Sequence, residues 1–356
     1  MRVRIWGYYM QPLHSLHDFF QRTGADVRLY HLGRRIEPCP LEILAALEAG
    51  SAAWPQPWQG KARLALVFRI GDIADPLIWF LALPLDEQGL LDPAPRDAFL
   101  QRLLEVLGHN VQTLDHHDAE SVDNLMQDNP LAFTPSLPFQ AVLHAMASRD
   151  LGRPASQHLE PAEAYLEGQQ PLDWRALGLQ GLADFAARMD VRQSQRLADR
   201  LPALPAEVLT SLCYCLEHVD IDEPLAASLR QRGEQAAEAD DIETLSACVR
   251  AISGAREDLV GDWFDALLST ETGPGPDLLA AMAGRGWRLL EDGQRLPLFL
   301  ARLAEEPRAD FIAVVRDLAL IPRLRLPVLM LLRDAEPGSP IRHQLNALPR
   351  PNNNQE

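Results

Sequence analysis

The chain has 356 residues, 33 Lys+Arg against 50 Asp+Glu for a net charge of −17, and is 47% hydrophobic, a globular rather than a disordered composition. Both halves are acidic, with 12 Lys+Arg against 18 Asp+Glu in residues 1–150 and 21 against 32 beyond. That balance argues against direct nucleic-acid binding and docking on an anionic membrane face, which need clustered cations. The sequence has no signal pattern and no apolar run of about 18 residues or more, so a cytoplasmic protein of two structural units is expected.

Residues 1–9 read as a short strand or as an extension ahead of a start at Met10. From Pro12, Leu13, Leu16, Phe19 and Phe20 recur at helical spacing, and Gly24 closes the helix. Val27, Leu29 and His31 alternate with Arg28 and Tyr30 as a strand running into Gly33, and a helix over 40–49 follows. The apolar runs within 63–70 and 77–83 suit paired strands of a covered sheet, with a turn through Gly71 and Asp72. A helix over 96–107, with Phe99, Leu100, Leu103, Leu104 and Leu107 on one side, completes a small α+β domain over 1–110. Residues 111–137 read as a polar, proline-containing linker.

Residues 138–349 read as an all-α, HEAT-like helical-repeat (α-solenoid) domain, with an irregular bundle as the alternative. Apolar segments recur at Leu177-Gly-Leu-Gln-Gly-Leu182, Val208-Leu-Thr-Ser-Leu212, Thr244-Leu-Ser-Ala-Cys-Val249, Leu278-Leu-Ala-Ala-Met282 and Phe311-Ile-Ala-Val-Val315. Their starts lie roughly 31 to 36 residues apart, the period of stacked helix pairs. Each is followed by a second helix, as over 259–268, 296–303 and 326–332. One pair cannot bury its apolar face alone, whereas a stack can. Residues 350–356 read as a disordered tail.

Several segments together resemble an uncharacterised bacterial family, a domain of unknown function. They are Leu29-Tyr-His-Leu-Gly-Arg-Arg-Ile36, Trp79-Phe-Leu-Ala-Leu-Pro-Leu-Asp-Glu-Gln-Gly-Leu-Leu91, Asp128-Asn-Pro-Leu-Ala-Phe-Thr-Pro135, Leu151-Gly-Arg-Pro-Ala-Ser156 and Gly178-Leu-Gln-Gly-Leu-Ala-Asp-Phe-Ala-Ala-Arg188. The resemblance spans nearly the whole chain from Met10. It implies no activity, because the family carries no assigned catalytic residues.

Arg34 and Arg35 follow a strand, where two guanidinium groups can grip a carboxylate or phosphate. The alternative is a structural ion pairing with Asp86 and Glu87. Asp86 and Glu87 stand near Trp79, a candidate aromatic contact, but no facing carboxylate or nucleophile accompanies them. No phosphate-binding glycine loop is present, and Lys61 is the only lysine, so a P-loop lysine is excluded. His116-His117-Asp118 has no metal-ligand spacing. The four cysteines, Cys39, Cys213, Cys215 and Cys248, read as reduced core residues, and Arg230, Arg232, Arg250, Arg285, Arg288, Arg302 and Arg316 as a solvated face. No catalytic residue, cofactor or metal is implied. The expected function is non-enzymatic: a scaffold whose helical surface binds a protein partner, a basic one suiting the acidity of the helical half. The alternative is an enzyme that acts on a small anionic substrate through Arg34, Arg35, Asp86 and Glu87. A further alternative is an acidic regulator of a nucleic-acid-binding protein.

Overall fold

In the computed structural model, which describes residues 13–69, 75–107, 124–127, 129–169 and 173–348, the chain divides into two units. One comprises Met1–Gly33 and Glu37–Pro135, the other Arg34–Ile36 and Ser136–Glu356. Among the described residues there are sixteen α-helices and one antiparallel sheet of four strands near the N-terminus. The expectations for residues 1–9, the turn at Gly71 and Asp72, the His116-His117-Asp118 segment and the tail 350–356 lie outside the described residues.

In the first unit the strands β1 (Asp26–His31), β2 (Glu37–Cys39), β3 (Lys61–Arg69) and β4 (Leu77–Pro84) lie in the order β2-β1-β3-β4. The hairpin register places Ala62 opposite Leu83, Leu64 opposite Leu81, Leu66 opposite Trp79 and Phe68 opposite Leu77. Because side chains alternate across a strand, these residues share one face. Packed on that face are α1 (Leu16–Thr23), α2 (Leu41–Glu48) and α3 (Pro93–Leu107), through Leu16, Phe19, Phe20, Leu44, Leu47, Phe99, Leu100 and Leu103. Helix α1 starts four residues after Pro12, where the sequence places the helix start. The Ser15 hydroxyl accepts the amide of Asp18 at 2.9 Å, and the Glu48 carboxylate accepts those of Leu16 and His17 at 2.7 and 3.0 Å. Both satisfy orphan N–H groups of a helix start. Strand β2 has no sequence signal: Glu-Pro-Cys shows no alternation, and its proline is tolerated at a sheet edge.

The second unit contains α4 (Leu137–Asp150), α5 (Leu159–Leu166), α6 (Leu179–Arg188), α7 (Val191–Arg200), α8 (Ala206–Leu216), α9 (Glu223–Glu238) and α10 (Ile242–Ile252). It continues with α11 (Glu257–Leu268), α12 (Pro276–Arg285), α13 (Arg295–Glu305), α14 (Phe311–Ala319), α15 (Pro322–Arg333) and α16 (Pro340–Asn346). Alternate helices pack in two rows. The first row runs α4, α6, α8, α10, α12, α14; the second runs α5, α7, α9, α11, α13, and α16 lies on α13. The recurring apolar segments at 208, 244, 278 and 311 all fall in the first row. Asp190, Asp222, Asp241 and Asp310 cap α7, α9, α10 and α14 through side-chain acceptance of a first-turn amide, which fixes where each helix begins.

Two close backbone approaches set the spacing of neighbours. A Cβ on Gly181 of α6 would stand 2.2 Å from the carbonyl oxygen of His158, and one on Gly254 would stand 2.4 Å from that of Val219. Ion pairs add register between successive pairs: Arg196 with Glu167, Arg230 with Asp262 at 2.9 Å, Arg295 with Asp265 at 2.7 Å and Arg323 with Glu291 at 2.9 Å. These partners lie 29, 32 and 30 residues apart for the first three, so they join neighbouring pairs rather than turns of one helix.

Candidate functional site

The tripeptide Arg34–Ile36 falls between β1 and β2 in sequence, yet it groups with the helical unit. Arg34 is completely buried, and its guanidinium donates to the Ala283 carbonyl at 2.9 Å and to the Asp317 carboxylate at 2.6 Å. It also lies over the Trp287 ring, 5.7 Å from the centroid. Ala283 is in the last turn of α12 and Asp317 in the last turn of α14. Arg35 is buried and donates to the Val219 carbonyl at 2.9 Å, just beyond α8. The Ile36 amide donates to Nδ1 of His218 at 3.1 Å. Two cations thus sit at the carbonyl-rich ends of first-row helices, where the helix dipole favours positive charge.

Behind them is a buried ionic core. Glu217, the C-cap residue of α8, accepts a two-pronged interaction from Arg250, with Nε at 2.6 Å and Nη2 at 2.9 Å. Nε of the buried Arg285 donates to the same carboxylate at 2.8 Å. An acid at a helix C-terminus opposes the dipole, and these two arginines, each in the last turn of its own helix, offset that cost. Phe139 of α4 closes the core, its ring 4.7 Å from that of His218 and 5.3 Å from the Arg285 guanidinium.

Burial alone would push the pKa of Glu217 up; the charges of Arg285 and Arg250, the Arg250 hydrogen bond and, once protonated, His218 outweigh it and hold the pKa at about 2. His218 is pushed down to about 3, chiefly by burial and further by Arg285, Arg35 and Arg250, against the opposing pull of Glu217. It is therefore neutral at ordinary pH. With Nδ1 accepting the Ile36 amide, the proton resides on Nε2, 3.4 Å from Glu217 Oε1. Burial also lowers Arg34 and Arg285, opposed by Asp317 and Glu217 respectively. In this arrangement each named charge has a protein partner, and the cluster locks the ends of four successive first-row helices.

Asp86 and Glu87 stand in the turn after β4, both exposed; Asp86 Oδ1 accepts the amides of Gln88 and Leu90 at 2.8 and 2.9 Å, organising its own turn. Trp79 is fully buried among Phe19, Phe20, Phe68 and Phe99, so its ring serves the core. The solvated-face reading of Arg250 and Arg285 is corrected: their partner is a buried glutamate 33 and 68 residues away. Glu217, Arg250 and Arg285 recur once per helix pair, each closing a first-row helix. That repeat phase is the signal by which sequence inspection could have found them. The four cysteines are buried and free of disulfides. Among the described residues, no group of three or more His, Cys, Asp and Glu side chains is arranged to hold a metal, and no helix is long and apolar enough to cross a membrane.

The family model described as "Protein of unknown function (DUF3549)" matches residues 11–349. No curated protein and no solved structure matches the chain.

Proposed function

This chain belongs to the DUF3549 family of proteins of unknown function, a membership that assigns no activity, and from that premise we propose that it is a cytoplasmic protein-binding scaffold. In this reading the helical unit is a HEAT-like α-solenoid whose long face holds a protein partner. The observation that carries it is the two-row packing of alternate helices, tied pair to pair by ion pairs about one helix pair apart. Stacks of this kind present broad, semi-rigid surfaces. The buried state of Arg34 and Arg35 favours the scaffold over an enzyme for small anions, because both guanidinium groups already donate to protein acceptors. Affinity purification of the full chain from its native host, followed by reconstitution from purified components, is expected to give a stoichiometric complex. Recovery of the chain alone after cross-linking overturns the reading.

A further inference from the structure

Among the described residues, α15 differs from the other helices in the surface it presents. Helix α15, which packs on α14, α16 and the turn at Leu289–Glu291, buries Leu324 and Val328. On its other side it exposes Leu326, Leu329 and Met330, at 65%, 46% and 44%. These three lie at i, i+3 and i+4 and so form one stripe. Elsewhere among the described residues, the exposed large apolar side chains Leu137, Val191, Ile242 and Leu348 occur singly, each outside such a stripe.

The charge around the stripe is equally distinct. In a chain of net −17, α15 contains Arg323, Arg325 and Arg333 and no acid. Arg323 and Arg333 are exposed at either end of the stripe, paired with Glu291 and Asp334. The Arg333–Asp334 pair lies in solvent and the Arg323 side chain is exposed, so both guanidinium groups can exchange their carboxylates for a partner's at little cost. A second copy of the chain fits poorly. Face-to-face pairing of two α15 helices would set arginines against arginines, and no other described helix offers a matching apolar stripe.

We infer that the exposed face of α15 docks an amphipathic helical segment of another protein, with leucine-type side chains on one side and glutamate or aspartate flanking them. The inference rests on the scaffold reading and names where, and by what chemistry, one partner is held. Apolar contacts would supply affinity, and the arginines would select acidic flanks over basic ones.

The probe is a fluorescent helical peptide of about four turns with a leucine stripe flanked by glutamates, titrated with the full chain and followed by anisotropy. A companion peptide carries lysine at each glutamate position. The glutamate peptide is expected to bind roughly tenfold or more tightly than the lysine peptide, with affinity falling as salt rises. The double variant Leu326→Ser/Met330→Ser is expected to lose roughly tenfold or more in affinity with an unchanged melting curve, since both side chains are exposed. Equal or tighter binding of the lysine peptide, no binding of the glutamate peptide, or full binding by the double variant overturns the inference. So does self-association that the double variant abolishes, which would make a second copy the occupant. A partner recovered from the host that binds the wild type and the double variant alike overturns this inference while leaving the scaffold reading intact. Absence of any partner overturns the scaffold reading itself.

Discussion

Replacing Glu217 by Gln isolates the charge at the centre of the buried ionic core. The amide keeps the shape and one acceptor, but Arg285, only 7% exposed, then carries a positive charge with its principal counter-ion gone. Removing one partner of a buried ion pair costs about 3–5 kcal/mol, because the remaining charge stays desolvated. The acidity of the carboxyl group points to the same size. A glutamate near 4.5 in the unfolded chain and about 2 in the folded one represents about 3 kcal/mol, at about 1.4 kcal/mol per unit. Urea denaturation followed by circular dichroism should show a loss of about 3–5 kcal/mol. For a unit of this size each kcal/mol lowers the melting temperature by about 2–4 °C, so calorimetry should show a drop of roughly 10 °C. Glu217→Gln combined with Arg285→Gln should lose clearly less than the two single losses summed, by about 1 kcal/mol or more. A loss for Glu217→Gln within about 0.5 kcal/mol of wild type, the scatter of ordinary surface changes, would refute the claim that its charge compensates the buried arginines.

Stability should fall with acid in a defined window. The folded protein keeps His218 neutral down to about 3, whereas the unfolded chain protonates it below about 6.5, so the unfolded state binds more protons and the urea midpoint drops as pH falls through that range. Protonation of Glu217 adds a further loss below about 4.5. His218→Asn, which can still accept the Ile36 amide, should flatten the slope between about pH 7 and 5; an unchanged slope contradicts the assignment. Gly181→Ala should destabilise by about 1–3 kcal/mol despite the better helix propensity of alanine, because its Cβ would meet backbone at 2.2 Å. Gly293→Ala has open space around the new methyl and should be neutral or slightly stabilising, and thermal melts of the two variants test the contrast. Glu48→Ala removes the acceptor of the Leu16 and His17 amides and should cost about 1–3 kcal/mol, with faster hydrogen exchange concentrated in α1.

Hydrophobic period carried most of the local structure. The helical spacing of Phe19 and Phe20, the apolar runs of β3 and β4, and the first-row segments near 208, 244, 278 and 311 all coincide with observed elements. Each is a property of a short stretch of chain that must bury one face. Helix α5, poor in large apolar residues, and the three-residue β2 carry no such period, since they take their place from neighbours rather than from internal pattern.

Amino-acid order alone determined that this chain folds as a largely helical protein with a small N-terminal sheet, because periodic apolar residues choose helix or strand within a few turns. Tertiary structure alone decided that Arg34 would meet Asp317, 283 residues away, and that Glu217 would be shared by Arg250 and Arg285. A charged residue reads the same in sequence whether water or protein surrounds it, and only the folded chain brings distant counter-charges within about 3 Å and removes the solvent that would otherwise screen them.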